Sequence, residues 1–136
     1  HQAEELVAGD TPLDHLRRLR PDTPPARLRA MLAAGGTGAD IAETQVRHLS
    51  GGPKARLVLT LAALDAPHLI ILDEPTNHLD MPAVEWLERT LKNWAGALII
   101  VSHDRYFLDA VVNRVWDLER GALNSYKGNY SSFLRQ

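Results

Sequence analysis

Four large apolar residues stand in an unbroken run at Leu69–Leu72, and two carboxylates, Asp73 and Glu74, follow directly. An uninterrupted apolar run of this length is typical of a strand that is buried on both faces, as in a parallel sheet. Open α/β sheets bind their ligands at the carboxyl ends of their strands. The stretch therefore predicts an α/β fold with both carboxylates at a ligand-binding edge.

The two carboxylates are expected to have different tasks, because adjacent side chains on a strand point to opposite faces. One of them can hold Mg²⁺ directly or through its water, and the other can orient a water for attack on a phosphate. The alternative is an acidic turn without chemistry, since carboxylates are common in loops near sheet ends. The dipeptide alone leaves both interpretations open.

Composition limits the class of protein. The 136 residues suffice for one domain with a core, and the absence of cysteine excludes disulfides and thiolate metal sites. No apolar stretch approaches the roughly 20 residues that span a bilayer, and no signal peptide is visible, so we expect a cytoplasmic protein without membrane insertion. The net charge of −2 is no argument for nucleic-acid binding. Because the chain starts at His1 without a Met, we expect a fragment or a processed chain.

The N-terminal part of the chain carries two helical patterns. Thr11 and Pro12 are suited to open the first helix, and Ala26–Ala34 predicts the second, which Gly35–Gly38 ends. Ile41–Arg47 is expected to be a short connection. Five arginines accompany the helices: Arg17, Arg18, Arg20, Arg27 and Arg29. They form either an ordinary solvated surface or a contact surface for RNA or a protein partner.

A serine and two glycines open the strongest helical pattern, which runs to about Asp65. Ser50 is suited to cap this helix, Gly51 and Gly52 allow close backbone approach, and Pro53 is tolerated in a first turn. The free N–H groups and the dipole of such a helix start favour a phosphate group. Alone, the pattern is weak, because a serine followed by two glycines is more often an ordinary helix entry.

The second half of the chain predicts a βαβ unit. The apolar run Ala97–Val101 predicts a second buried strand, and an amphipathic helix over Met81–Trp94, with Asp80 as its cap, connects the two strands. A right-handed crossover places both strand ends at one edge. His103 follows the second strand, where it can contact a γ-phosphate or the attacking water; the alternative is a surface or packed histidine.

Three further elements are predicted towards the C-terminus. Asp104–Val112 predicts a helix, Arg114–Glu119 and Ala122–Tyr126 predict a β-hairpin, and Asn129–Leu134 predicts a short terminal helix or turn. These elements complete an alternation of strands and helices that is typical of an α/β protein.

Four motifs stand in order: LSGG at 49–52, LIILDEP at 69–75, NHLD at 77–80 and SHDRYFLD at 102–109. With these motifs the chain, from about residue 45 to its end, resembles an ATP-binding cassette (ABC) ATPase. NHLD, SHDRYFL and the ending NSYKGNY are similar to the F subfamily, soluble two-cassette proteins that mostly act on the ribosome. The resemblance implies ATP and Mg²⁺ as cofactors and a second ATP-binding cassette as a partner. It also implies ribosome or ribosomal RNA contacts through parts outside this chain.

The resemblance further implies a role for each candidate site residue. Asp73 matches the residue that holds the hydrated Mg²⁺, Glu74 the general base or water-positioning carboxylate, and His103 the switch histidine near the γ-phosphate. Asp80 matches the loop that links two nucleotide sites across a cassette dimer. Ser50–Gly52 matches the signature that covers ATP bound to the opposite cassette.

Two departures from the family pattern bear on function. The chain contains no G-x-x-x-x-G-K-[ST] loop, and Gly35–Gly38 lacks the lysine and hydroxyl of that motif. The family places this phosphate-binding loop upstream, so we expect the C-terminal part of one cassette, which is inactive alone. Pro53 stands where the family has Gln or Glu, so we expect an altered contact with ATP in trans.

We therefore expect an α/β fold of the P-loop NTPase type, in two parts. Residues 1–65 form a helical subdomain with the signature, and residues 66–136 form the C-terminal part of the ATPase core, with a parallel βαβ unit and a β-hairpin. The leading functional hypothesis is part of an F-subfamily ATPase that hydrolyses ATP at a two-cassette interface and acts on the ribosome in translation. The alternatives are the nucleotide-binding subunit of an ABC membrane transporter and a non-catalytic assembly fragment.

Overall fold

The computed structural model describes residues 6–135 of the chain. The protein divides into two compact units, His1–His68 and Leu69–Gln136. The predicted subdomain boundary between residues 65 and 66 lies close to this division. Residues 1–5 of the predicted helical subdomain lie outside the described residues.

The described part of the first unit consists of helices. They are α1 (Pro12–Leu19), α2 (Pro25–Ala34), α3 (Ala39–Ala42), a 3₁₀ turn (Val46–His48) and α4 (Gly51–Ala63). The short connection predicted at Ile41–Arg47 contains helical turns that the sequence interpretation did not locate, namely the end of α3 and most of the 3₁₀ turn. Each of these short elements places one apolar residue, Ala42 or Val46, in the core of the unit. Burial of these two side chains stabilises the helical turns.

The core of the first unit is built from apolar residues at helical spacing. On α1, Leu13 and Leu16 are three residues apart, and on α2, Leu28 and Leu32 are four residues apart, so each pair faces one side. Among residues 6–68, the buried cluster comprises Leu13, Leu16, Leu28, Leu32, Ala42, Val46, Leu49 and Leu57. Through Leu49 and Leu57 this core holds both the segment before α4 and α4 itself.

Thr11 caps α1, as predicted, and does so through a capping box with Asp14. The Thr11 hydroxyl accepts from the Asp14 backbone N–H at 3.1 Å, and Asp14 Oδ2 accepts from the Thr11 backbone N–H at 3.0 Å. The hydrogen bonds that the Thr11 backbone N–H and hydroxyl donate lower the pKa of Asp14 below its ordinary value. The start of α1 is therefore fixed by local chemistry as well as by burial.

The second unit contains the predicted strand–helix–strand arrangement and the predicted hairpin. Its elements are β1 (Leu69–Asp73), α5 (Met81–Lys92), β2 (Ala97–Val101), α6 (Arg105–Val111), β3 (Arg114–Glu119), β4 (Ala122–Lys127) and α7 (Tyr130–Phe133). The strands β1 and β2 are parallel, and Asp73 pairs with Val101 at their carboxyl ends. The strands β3 and β4 are antiparallel. The α/β fold predicted from the sequence is therefore confirmed.

The prediction that β1 is buried on both faces is wrong. Ile70 is 6% exposed, whereas its neighbours Leu69 and Ile71 are 45% and 64% exposed. Side chains alternate between the faces of a strand, so one face of β1 is covered and the other is open. The physical reason is that nothing within residues 69–135 packs closely enough on Leu69 and Ile71 to exclude solvent from that face of β1. Among residues 6–135, no helix has the length and apolarity that crossing a membrane requires.

Candidate functional site

Glu74 and His103 meet at the carboxyl ends of β1 and β2. The Glu74 backbone N–H donates to the Val101 carbonyl oxygen at 2.7 Å, which extends the strand pairing by one hydrogen bond. The Glu74 side chain then accepts from the His103 backbone N–H at 3.3 Å through Oε2, and its Oε1 lies 3.5 Å from His103 Nε2. Two residues 29 positions apart in sequence are thus brought together at one edge of the sheet.

The backbone at Glu74 is held in a left-handed conformation, with φ of +46°. A residue other than glycine adopts this conformation at an energetic cost, which persists only where surrounding contacts enforce it. Two turn hydrogen bonds follow, from Asn77 N–H to the Glu74 carbonyl at 3.1 Å and from Leu79 N–H to the Thr76 carbonyl at 3.2 Å. The tight turn therefore directs the Glu74 carboxylate towards the end of β2.

The two side chains of this pair differ in exposure. The Glu74 side chain is 25% exposed, whereas the His103 side chain is 99% exposed. The carboxylate is consequently oriented by the protein, and the imidazole faces solvent, where an incoming group can reach it. A carboxylate oriented by a backbone hydrogen bond can accept a proton from a water molecule, and an exposed imidazole can form a hydrogen bond to a bound group.

Asp104 fixes the backbone on the other side of His103. Its carboxylate caps α6 by accepting from the Tyr106 and Phe107 backbone N–H groups at 3.1 and 3.0 Å. Its own N–H donates to Ser102 Oγ at 3.1 Å. The sequence interpretation placed Asp104 in the helix itself; an Asp directly before an apolar helical stretch is the signal that identifies such a cap.

Asp73 ends β1 with an exposed side chain that has no hydrogen-bond partner among the described residues. Residues 6–135 contain no group of three or more His, Asp or Glu side chains suited to hold a metal ion. Mg²⁺ commonly keeps several waters and is bound through one or two carboxylates together with substrate phosphates. A single free carboxylate fits that mode of Mg²⁺ binding and does not fit an all-protein metal cage.

Asp80 is engaged as the predicted cap of α5. Its Oδ1 accepts from the Ala83 backbone N–H at 3.0 Å. The other carboxylate oxygen makes no hydrogen bond among the described residues, and the residue is exposed. Asp80 therefore combines a structural contact with an oxygen that is open to a further partner.

Ser50 occupies the cap position of α4, but its side chain makes no capping hydrogen bond, so the predicted side-chain cap is wrong. A capping serine accepts from the N–H of the second or third helical residue. The third residue of α4 is Pro53, which has no N–H to donate. Ser50 and the half-buried Gly51 remain open at the start of the helix, while Gly52 is buried.

The arginine surface of the first unit is largely neutralised by acidic side chains. Arg17 pairs with Asp14, Arg18 with Asp10, Arg20 with Asp65, and Arg29 with Glu43. Among the five arginines, Arg27 alone has no acidic partner within residues 6–135. This pairing favours the ordinary solvated surface over a contact surface for RNA, because RNA binding depends on uncompensated positive charge.

Comparison with known sequences places the chain among ATP-binding proteins. The sequence model of the ABC transporter family matches residues 4–77. ABC transporter F family member 5 of Arabidopsis thaliana is 39% identical over 136 residues, which are 100% of this chain and 20% of that protein. Energy-dependent translational throttle protein EttA of Mycobacterium tuberculosis is 47% identical over 95 residues, which are 70% of this chain and 17% of that protein. The chain thus spans a fifth or less of the length of these relatives.

Solved structures show the same fold. The dimeric structure of a post-hydrolysis state of the ATP-binding cassette MJ0796, bound to ADP and Pi, superposes with a TM-score of 0.69. It is 20% identical, and the match covers 93% of this chain and 60% of that one. The cbiO1 protein of Clostridium perfringens gives a TM-score of 0.74 at 20% identity, with 97% of this chain and 55% of that chain covered.

Proposed function

Because the chain belongs to the ABC transporter family, as part of an F-subfamily nucleotide-binding domain, we propose that it binds ATP and takes part in its hydrolysis at the interface with a second cassette. The observation that carries this proposal is the Glu74–His103 pair at the ends of two adjacent parallel strands. Ligands of open α/β sheets bind at this edge.

Glu74 is the residue we assign to water activation. Its carboxylate is oriented by the backbone N–H of His103 and by the strained turn that follows β1. In this position it accepts a proton from the attacking water or holds that water in line with the phosphate. The exposed His103 imidazole is assigned to the terminal phosphate, and Asp73 to the hydrated Mg²⁺, which neutralises phosphate charge when bound.

The start of α4 is the second contact for nucleotide. The open Ser50 hydroxyl and the N–H groups at a helix N-terminus are suited to a phosphate oxygen. We assign Ser50–Gly52 to the nucleotide held by the partner cassette, and we assign Asp80, with its open carboxylate oxygen, to communication between the two nucleotide sites. This division makes each cassette incomplete without the other.

We further place the protein in the cytoplasm, without membrane insertion, as a factor that acts on the ribosome in translation. Support comes from the NHLD motif at 77–80 and from the Mycobacterium tuberculosis relative, which is named an energy-dependent translational throttle protein. A transporter role is the competing proposal, and the name of the matched family supports it. Ribosome contacts are assigned to regions outside this chain, because four of its five helical arginines are paired with acids.

The substitution Glu74→Gln tests the assignment in the gene product that carries this sequence. The amide keeps the shape of the side chain but cannot take up a proton, so we expect ATP affinity to stay within about twofold and turnover to fall by about 10²-fold or more. Glu85→Gln is the matched control, since Glu85 is an exposed carboxylate on α5. Affinity is measured by titration with a fluorescent ATP analogue, and turnover by phosphate release.

Unchanged turnover in Glu74→Gln, with unchanged ATP affinity, would make Glu74 a structural carboxylate and remove the basis of the proposal. Sedimentation of the same variant with ATP separates the two cellular roles. Nucleotide-dependent association with ribosomes supports the translation role, whereas association with the membrane fraction supports the transporter role.

A further inference from the structure

A polar contact joins α4 to the loop between α2 and α3 within the first unit. Arg56 Nη1 donates to the Gly36 carbonyl oxygen at 2.9 Å, and Thr60 Oγ1 donates to the Arg56 carbonyl oxygen at 2.8 Å. Residues four positions apart lie on one face of a helix. Gly52, Arg56 and Thr60 therefore form a single stripe along α4, which we call the α4 stripe. The stripe starts in the signature and ends at the loop contact.

Gly35 lets α4 approach the loop more closely than any side chain would permit. A Cβ atom at residue 35 would lie 2.0 Å from Thr60 Oγ1 and 3.1 Å from Thr60 Cβ. The backbone of Gly35 has φ of −79° and ψ of 6°, which any residue can adopt. Glycine is required here by the proximity of Thr60 and not by backbone conformation. Thr60 cannot easily turn away, because its β-branched side chain has few rotamers in a helix and its hydroxyl is hydrogen-bonded.

The loop that receives the α4 stripe is itself fixed. Gly36 has a left-handed φ of 82°. Its N–H donates to the Ala33 carbonyl at 2.9 Å, and the Thr37 N–H donates to the Leu32 carbonyl at 2.9 Å, which together form a Schellman motif. Thr37 is 2% exposed. The Gly36 carbonyl oxygen that accepts from the Arg56 guanidinium is therefore held in a fixed position.

We propose that Arg56 is a positioning residue that sets the placement of Ser50–Gly52 by holding α4 against Gly36, at the short distance that the missing side chain of Gly35 permits. This inference rests on the proposed function of the signature. Its physical basis is that Ser50 makes no side-chain cap and that Pro53 has no N–H to offer for one, so the start of α4 lacks this local restraint. The buried Leu49 and Leu57 hold this part of the chain in the core, and the polar contacts along the α4 stripe are the further restraint on its orientation. A misplacement of about 1 Å can cost up to about 10²-fold in rate.

The first test introduces a steric clash at residue 35 and then removes it with a second substitution. Both variants are made in the gene product that carries this sequence. Gly35→Ala pushes against Thr60, so we expect kcat for ATP hydrolysis to fall on the order of tenfold, with KM and the number of bound ATP molecules per protein unchanged. Thr60→Ala removes the obstructing hydroxyl, so the double variant Gly35→Ala/Thr60→Ala is expected to return to within about threefold of the original kcat. Gly9→Ala is the matched control, because a Cβ at Gly9 meets nothing within 4 Å.

The second test removes the hydrogen bond to Gly36 and stands even if Gly35→Ala does not fold. Arg56→Met keeps an unbranched apolar stem but has no donor, and Arg56→Lys keeps a donor. We expect Arg56→Met to lower kcat on the order of tenfold at unchanged ATP affinity, and Arg56→Lys to stay within about threefold. A merely structural role for Arg56 would lower the fraction of protein that binds ATP in both variants.

Gly51→Asp separates failure of this inference from failure of the proposed function. An acidic side chain there places negative charge where a phosphate is proposed to bind, so turnover should stop while ATP binding persists. Full turnover in Gly51→Asp overturns the function of the signature. Loss of turnover in Gly51→Asp, together with wild-type kcat in Gly35→Ala or Arg56→Met, overturns the positioning role alone. Equal kcat in Gly35→Ala and its double variant overturns it as well.

Discussion

At Glu74 the conformation of the backbone determines which group the side chain contacts. The left-handed φ of +46° turns the chain away from β1, and the carboxylate then reaches the His103 N–H on the neighbouring strand. At the start of α4, Pro53 removes one of the two N–H groups that a capping serine can use, and the Ser50 hydroxyl makes no capping hydrogen bond. Single residues therefore determine which polar groups form hydrogen bonds within the protein and which remain available to a ligand.

Asp14 gives a prediction at this scale. Its pKa is lowered chiefly by the Thr11 backbone N–H and hydroxyl, so the carboxylate stabilises the fold above its ordinary pKa of about 4 and loses that effect as pH falls through the lowered value. We expect Asp14→Asn to lower the free energy of unfolding by about 0.5–1 kcal/mol at pH 7, and by much less at pH 2. The value at pH 7 is at the low end for a helix cap, because the Asp14 side chain is 43% exposed. Urea denaturation followed by circular dichroism at both pH values measures this.

Asp22→Asn is the control for that measurement, because Asp22 is an exposed carboxylate between α1 and α2 without a hydrogen bond among the described residues. It should change the free energy of unfolding by less than about 0.5 kcal/mol at either pH. An equal loss for Asp14→Asn at pH 7 and pH 2 would show that the capping box does not depend on the charge of Asp14.

The strand β1 shows how an element acquires two different faces from one apolar run. Ile70 and Ile71 are chemically identical neighbours, yet one is 6% exposed and the other 64% exposed. Apolar composition by itself cannot separate them, since the alternation of a strand is visible only when polar residues mark its open face. In the second unit the buried apolar residues besides Ile70 are Ala83, Leu87 and Leu91 of α5 and Phe107 of α6.

Matched threonine substitutions measure this asymmetry. Threonine retains the β-branched shape but brings a hydroxyl, so Ile70→Thr should destabilise the protein by about 1–3 kcal/mol. Ile71→Thr should stay within about 0.5 kcal/mol, because its side chain already meets solvent. Chemical denaturation of both variants provides the comparison, and a cost for Ile71→Thr as large as that for Ile70→Thr would contradict the assigned faces.

On the scale of the whole molecule, the candidate residues are divided between the two units. Ser50–Gly52 belongs to the first unit, and Asp73, Glu74, Asp80 and His103 belong to the second. The 136 residues contain a proposed water-activating pair and a proposed signature but no lysine-bearing phosphate loop. Backbone N–H groups and the lysine of such a loop supply much of the affinity for nucleotide phosphates in P-loop enzymes.

The 136-residue chain, expressed by itself, is therefore expected to bind Mg-ATP weakly or not at all. Titration with a fluorescent ATP analogue checks this, with a complete P-loop ATPase as the positive control for the probe. A dissociation constant in the micromolar range together with hydrolysis would show that this chain alone carries the phosphate cradle, and the proposed division of tasks would then be wrong.

Local patterns in the sequence sufficed for most elements. The spacing of apolar residues and the capping residues Thr11 and Asp80 located helices α1 and α5, and the run Ala97–Val101 located β2. The order of motifs also led to the family. These features are short-range: a helix start or a strand depends on hydrogen bonds and periodicity within a few residues.

Tertiary structure decided what depends on residues far apart in sequence. The contact of Glu74 with His103, the seat of Arg56 on Gly36 and the open face of β1 arise only when separate elements pack together. Sequence periodicity contains no information on the distance between such elements. It could therefore identify Glu74 and His103 as candidate residues, but it could not predict the hydrogen bond between them. It also could not show the approach of α4 to Gly35, because that proximity is set by the packing of two helices and not by either helix alone.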